Sequence, residues 1–376
     1  MVSRERILES KTVIPFFGVS KQYANLRDEL LTASDQVYSS GQVLDGKNTT
    51  LFEQEIARRC DRQYAVAVNS CTQGLIFAQQ ALFVKATKIL IPTLSFVATI
   101  NSVLLNGNEP VYCDTDHNGL IDLCSMSGTL DSLGIEGIMY PNLFGHTVDW
   151  DKFKLQTSFF NNDVLIVEDA AQSFGASYKG IPSGKLGDIS VLSFDPTKNL
   201  NNYGSGGMLL TDDPDVYQYF LDLRDNGKRG SHHNAGTNSK MSESDCAQML
   251  VKLKYFDQWQ QRRNSIADYF TKELSAFVDI VLPGKDVVSA WSKFVMRLTE
   301  RHALKSHLSN NGIESKMHYD KPLYDLPVGY NFIDYDQDLF IESASFSREC
   351  LSLPIYPELT DGEVEHIVTT VKQFYK

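Results

Sequence analysis

The sequence predicts an α/β fold built on a mostly parallel sheet. Two observations carry that reading: short apolar runs recur along the chain, and segments of helical character separate several of them. The runs are Tyr64–Asn69, Lys88–Thr93, Pro110–Asp114, Gly137–Pro141, Val164–Asp169, Ile189–Phe194 and Gly206–Thr211. They read as buried strands, and the intervening helices make βαβ units, so the sheet is expected to be covered on both faces. Ligands of such sheets sit beyond the carboxyl ends of the strands, which places Asp169, Ser193 and the loop of Lys198 along one rim.

After Ser242 the pattern becomes helical over a long stretch, Ser242 to Phe277, with Ala247, Leu250 and Val251 at i, i+3 and i+4. Such a helix commonly joins a larger domain to a smaller one. From about Val278 mixed strand and helix signals predict a small α/β carboxy-terminal domain. The expected division is residues 1–255 for the N-terminal segment and large domain, and residues 256–376 for the linking helix and small domain. No internal repeat or low-complexity run is present.

Composition bounds the function. A chain of 376 residues with 42% hydrophobic and 22% charged residues has the material for a substantial core in more than one domain. Its net charge of −12 argues against a general nucleic-acid surface, so any anionic ligand has to be met by local groups. The six cysteines show neither a C-x-x-C pair nor a Cys/His ligand spacing, and read as buried thiols in a reducing compartment. Near the N-terminus, Pro15 and Gly18 interrupt the apolar piece, so no secretory signal is expected. The uncharged segment Ile89–Asn108 is divided by Pro92, Thr93, Ser95, Thr99 and Asn101, and reads as strand, polar turn and helix rather than a bilayer span. A cytoplasmic protein without membrane or nucleic-acid partners is the expectation.

The stretch FDPTKNLNNYGSGG sets a lone lysine, Lys198, among turn residues. In isolation it reads as a solvated loop lysine, so other parts of a site have to be found. A lysine that forms a Schiff base with pyridoxal phosphate needs an acid for the pyridine nitrogen, a phosphate cradle and a flat group against the ring. Asp169 ends an apolar strand, where a carboxylate is poorly solvated unless a cation pairs with it. Its plain alternative is a cap on the helix expected after it. Gln172 lies three residues on and suits a ring hydroxyl. Ser70, Cys71 and Thr72 open a predicted helix whose first amides can hold an anion, or can simply be capped. Ser193 offers another hydroxyl, and Phe96 follows a strand end, either against the ring or in the core.

Taken in order, NSCTQGL, IPTLSFVATINSVLLNGNEPVYCDTD, LFGHTVDWD, IVEDAAQSFGASYKG, GDISVLSFDPTKNL, GTNSKM and LSLPIYPELT resemble the DegT/DnrJ/EryC1/StrS sugar aminotransferases over residues 14 to 375. The resemblance implies a fold-type I, aspartate aminotransferase-like subunit: a large domain with a mostly parallel mixed sheet and a small carboxy-terminal α/β domain. It also implies a homodimer with shared active sites. Carried over by position, Lys198 matches the Schiff-base lysine and Asp169 the pyridine partner. Gln172 matches the ring-oxygen contact, Ser193 and Thr72 the phosphate ligands with Cys71 beside them, and Phe96 the stacking aromatic. Asn238 matches an asparagine that the neighbouring subunit lends to the phosphate, while His318 and Tyr319 match a substrate-side pair. The chain departs from the family at several places. Cys71 stands where glycine is frequent, Asn142 and Tyr324 where histidine is common, and Lys240 and Asp245 replace the usual arginine and glutamine.

The implied activity is reversible transamination from L-glutamate to a nucleoside-diphosphate-linked keto-deoxy sugar, for deoxyamino sugar, O-antigen or surface glycan biosynthesis. KQYANLRDEL and the loop around KNLNNYGSGG look like 3-aminotransferases, whereas SCT and FGHTVDWD look like 4-aminotransferases; both positions stay open, C3 first. The alternative is a catalytically silent, cofactor-binding regulator of the same fold. A dehydratase of this fold would carry histidine in place of Lys198. A nicotinamide enzyme would want a G-x-G-x-x-G turn that the chain lacks.

Overall fold

The computed structural model describes residues 13–82, 87–126, 133–158, 160, 164–228, 232, 234–332 and 339–376. Thirteen strands are present among them: β1 Tyr64–Val68, β2 Lys88–Pro92, β3 Glu109–Cys113, β4 Ile135–Pro141, β5 Leu165–Asp169, β6 Ser177–Tyr178, β7 Ile181–Pro182, β8 Ile189–Ser193, β9 Gly207–Thr211, β10 Asp279–Ile280, β11 Val287–Val288, β12 Phe294–Arg297 and β13 Cys350–Leu353. All seven runs read from the sequence are strands of one seven-stranded sheet, ordered β1-β9-β8-β5-β4-β2-β3. Only β9 runs against the others, pairing antiparallel with both β1 and β8. The sheet is therefore mixed but mostly parallel, as expected.

Side chains alternate along each strand, and here both faces are apolar and covered. Val66, Val68, Val191 and Leu209 pack on one side with Leu75 and Phe77 of the helix Cys71–Leu82. Ala65, Ala67, Leu192, Met208 and Leu210 pack on the other with Phe52, Cys246 and Phe256. The uncharged segment resolves into β2, a turn, and the helix Ala98–Leu105. Among the described residues no helix is long and apolar enough to cross a membrane.

Beyond the main sheet, β10, β12 and β13 form an antiparallel three-stranded sheet. Helices Phe256–Leu274, Arg301–Asn310 and Asp361–Phe374 pack on it through Phe270, Leu304 and Ile367, and Ile14 joins the same core. Two expectations need correction. The helical stretch after Ser242 is two helices, Glu243–Leu253 and Phe256–Leu274, broken without glycine or proline. The break is tertiary in origin: Lys252 Nζ is drawn to the Asn201 carbonyl at 2.6 Å, and Phe256 turns into the core against Phe174. The cysteines are all free, but Cys124 is exposed rather than buried.

One polar hub fixes the rim of the sheet. Glu168, fully buried on β5, accepts hydrogen bonds from Asn142 Nδ2 (2.8 Å), Ser183 Oγ (2.8 Å), Ser190 Oγ (2.6 Å) and the Gly184 and Leu186 amides (3.1 and 2.9 Å). Removing the carboxylate strands several buried donors at once, each costing about 1–3 kcal/mol. Glu168→Ala is expected to lower unfolding free energy by at least about 3 kcal/mol in urea denaturation, and Glu168→Gln by less, because its carbonyl oxygen still accepts.

Candidate active site

The carboxyl ends of β1, β2, β4, β5 and β8 converge, with the start of β9, on a cavity of about 360 Å³. The sequence explains how each wall is held. After β8, Asp195-Pro196-Thr197-Lys198 forms a turn in which the Lys198 amide donates to the Asp195 carbonyl at 2.9 Å, with proline at the position whose φ the turn requires. The Asp195 carboxylate accepts from the Thr197 amide (3.0 Å) and hydroxyl (2.6 Å), and Ser193 Oγ accepts from the Asp195 amide at 3.3 Å. Asn199 Nδ2 donates to the Ala290 carbonyl at 2.6 Å, tying the loop to the segment before β12. The polar residues around Lys198 thus build the turn that aims it.

The helix Cys71–Leu82 starts at the same rim. Ser70 caps it, Oγ accepting from the Gln73 amide at 3.1 Å, and the first-turn amides of such a helix have no intrahelical acceptor. The opposite wall is Gly206 and Gly207. A Cβ on Gly207 would lie 2.6 Å from the Ser70 carbonyl carbon and 2.7 Å from the Cys71 nitrogen, so only glycine lets β9 run this close. Cys71 is half-buried with its side chain against the apolar core, so the departure from glycine leaves its amide in the first turn. Burial pushes its thiol well above the ordinary cysteine range.

Asp169 ends β5 and is 6% exposed. Its Oδ1 accepts from the Ala171 amide at 3.0 Å. The following residues form turns rather than a helix, so Asp169 is not the cap of one. Among the described residues no cation forms an ion pair with it, and burial pushes its carboxyl up to about 6 against the opposing pull of the Ala171 amide and Lys198. Gln172 bridges the walls: Oε1 accepts from the Phe144 amide (3.1 Å) and Nε2 donates to Tyr319 Oη (3.0 Å). Phe96 is 55% exposed, its ring 6.2 Å from that of Tyr319. His318 Nδ1 lies 2.8 Å from Ser352 Oγ; burial, then Lys293, Lys316 and Lys198, hold its imidazole well below the usual histidine range.

Lys198, Cys71, Thr72, Phe96, Asp169, Gln172, Ser193, His318 and Tyr319 all line this cavity. Asn238 does not: it is exposed and bridges to Asp225 away from it. Sequence reading missed Phe17, Asp195, Lys293 and Lys316, which also line it. A charged residue at Lys293, directly before the buried strand β12, was an available signal.

These features fit pyridoxal phosphate. A buried carboxylate without a cationic partner suits the pyridine nitrogen, a capped helix start beside two glycines suits the phosphate, and a lysine sits between them. Fold and site define a pyridoxal-phosphate-dependent aminotransferase of fold type I. The chain belongs to the DegT/DnrJ/EryC1/StrS aminotransferase family, which it matches over residues 24–372. It is 31% identical over 372 residues to the erythromycin biosynthesis sensory transduction protein EryC1 of Saccharopolyspora erythraea, covering 96% of this chain and 99% of that one. It is also 31% identical over 376 residues to the dTDP-3-amino-3,4,6-trideoxy-alpha-D-glucose transaminase of Streptomyces venezuelae, with 96% of each chain covered. The crystal structure of DesV from S. venezuelae superposes with a TM-score of 0.91 at 29% identity, covering 97% of this chain and 99% of that one.

The raised pKa of Asp169 has a pH signature. In protein prepared free of cofactor, a carboxyl whose folded pKa of about 6 exceeds its unfolded value contributes stability below about pH 4 that is lost as pH rises through 6. Cofactor-free Asp169→Asn is therefore expected to be more stable than the parent at about pH 8, by up to about 3 kcal/mol, with the difference vanishing near pH 4. Thermal or urea unfolding across that range measures it.

Proposed function

We propose that this protein transfers the amino group of L-glutamate to a keto group of a nucleoside-diphosphate-linked keto-deoxy sugar, at C3 ahead of C4, in the biosynthesis of deoxyamino sugars. The observation that carries the reading is the facing of Lys198 and the unpaired, buried Asp169 across one cavity. The name of the S. venezuelae relative, a 3-amino sugar transaminase, supports the substrate class and the position.

When bound, pyridoxal phosphate supplies a conjugated ring that draws electrons from the substrate carbon undergoing proton exchange. Asp169 would pair with the ring nitrogen and hold its proton, the pairing supplying the carboxylate with a cationic partner. The Cys71 and Thr72 amides, with the Thr72 and Ser193 hydroxyls, bind the phosphate. Phe96 would stack on the ring, and Gln172, whose Nε2 donates to Tyr319, would turn its second N–H to the ring oxygen. Lys198 Nζ, as a neutral amine, would carry the proton exchanged at the substrate carbon. His318, kept neutral, and Tyr319 orient the sugar. Exposure of Asn238 and Phe96 agrees with a homodimer in which Asn238 reaches the partner's phosphate site.

The test is incubation with L-glutamate and a panel of nucleotide-linked 3-keto and 4-keto sugars, the aminated product being identified by mass and NMR. Formation of 2-oxoglutarate with an aminated sugar is the expected outcome. No glutamate conversion would instead favour a cofactor-binding regulator, the role that the name of the S. erythraea relative suggests. Lys198→Ala is expected to keep the fold by circular dichroism while losing the visible absorbance of the parent and at least about a hundredfold in turnover.

A further inference from the structure

Two cationic groups lining the cavity, Lys293 and Lys316, have no part in the chemistry above, and Lys293 is the buried one. Lys293 immediately precedes β12 and is 5% exposed, yet its side chain lines the same cavity as Lys198. Its Nζ donates to the Ser292 carbonyl at 3.1 Å and lies 5.2 Å from the centroid of the Phe17 ring. Among the described residues no carboxylate is within ion-pair distance of it. A buried ammonium is normally matched. Lys252, fully buried elsewhere, donates to the Asn201 carbonyl at 2.6 Å and sits 3.7 Å over the face of Tyr203, a closer carbonyl and a closer ring than Lys293 has.

Position and rigidity separate Lys293 from a chance surface lysine. Its amide donates to the Phe144 carbonyl at 3.2 Å, and the preceding Ala290 amide donates to the Gly145 carbonyl at 2.8 Å. The Ala290 carbonyl accepts from Asn199, next to Lys198, at 2.6 Å. The segment bearing the ammonium is therefore fastened both to the loop after β4 and to the lysine turn. Lys316 approaches Phe17 from the more open side, Nζ 4.7 Å from the ring centroid, so two ammonium groups converge on one aromatic ring at the cavity wall.

We propose that Lys293, assisted by Lys316, is a carboxylate-binding subsite of the active cavity, receiving a carboxylate of the amino donor. A uronic carboxylate on the sugar is the other source of the same chemistry. The assignment rests on the transamination reading. It accounts for how one cavity can take, in turn, a small dianionic amino acid and a sugar: the ammonium supplies specificity for the first without touching the reacting carbon. The titratable groups facing Lys293 are Lys198 and Asp195 from the lysine turn, Arg263 from the helix Phe256–Leu274, and Lys316 and the neutral His318 from the segment before Tyr319. Burial, then Lys198, Arg263 and Lys316, push its pKa well below the lysine range, with Asp195 opposing. A bound carboxylate reverses that direction, so binding takes up protons wherever the amine is partly neutral.

The probe is glutarate, which carries the two carboxylates of glutamate but no group that can react. Calorimetric titration of the holoenzyme should show Lys293→Met weakening glutarate by at least about tenfold, with Lys293→Arg close to the parent. Uridine diphosphate glucuronate and uridine diphosphate glucose form the second arm. A loss confined to glutarate assigns the subsite to the donor. A loss for the glucuronate but not the glucose assigns it to an acidic sugar. Equal losses for all three ligands, or no loss in Lys293→Met, would overturn the proposal. If Lys293→Met does not fold, a parent enzyme that binds glutarate no tighter at about pH 7 than at about pH 10, with no proton uptake between buffers of different ionisation enthalpy, overturns it as well. Failure of the parent to convert glutamate would sink the transamination reading instead, leaving these binding results standing.

Discussion

The active rim depends on two adjacent carboxylates at the end of β5. Successive residues of a strand face opposite ways, so Glu168 and Asp169 cannot share an environment. Glu168 faces the loop Ser183–Ser190 and gathers five donors, among them the side chain of Asn142. Asp169 faces the cavity, where it has one donor and, among the described residues, no ion-paired cation. The first carboxylate is satisfied by the protein and immobilises the rim; the second is left for a ligand. Exchanging these roles would require a one-residue slip of β5, which the parallel pairing on both sides of the strand opposes.

Around that strand, the remaining walls are set by how closely backbones can approach. Gly207 brings β9 against the start of the helix Cys71–Leu82, and Gly74 inside that helix brings it onto Val191 of β8, where a Cβ would lie 2.6 Å from Cγ1. Both glycines act by close approach rather than by unusual dihedral angles. The approach of β9 to the helix start is therefore a property of packing between β1, β8 and β9, and the tolerance of Cys71 follows: its side chain packs against apolar core while its backbone amide stays in the first turn.

Much of this was legible in the sequence, and what was not has a common cause. The seven strands of the main sheet are apolar on both faces, so each stands out as a short run whatever its neighbours do. Lys198, Asp169 and the Ser70–Thr72 turn could be placed because Asp169 ends such a run and the other two lie within a few residues of one. The far wall of the cavity has no such anchor. Phe17, Lys293 and His318 come from separated segments, and only tertiary contacts such as the Phe144 carbonyl on the Lys293 amide bring them together. The break between the two helices after Ser242 was hidden for the same reason, since buried contacts of Lys252 and Phe256 make it. Asn238 is a different case: within one chain it lies outside the cavity, bridging to Asp225, and the role the resemblance implies for it would lie between subunits.

A chain of net charge −12 that takes anionic ligands raises an electrostatic question, and the cavity answers it. Charges on the outer surface are screened within roughly 8 Å at physiological ionic strength, so an acidic envelope contributes little at the bottom of a buried cleft. Inside it the count is reversed: Lys198, Lys293 and Lys316 face Asp169 and Asp195. The Asp195 carboxylate accepts from the Thr197 amide and hydroxyl. A helix start adds partial positive charge at the phosphate end. Binding of anions is thus decided by a few fixed groups in low-dielectric surroundings, where each counts for several times its value at the surface. The acidic exterior is free to serve solubility without competing with the site.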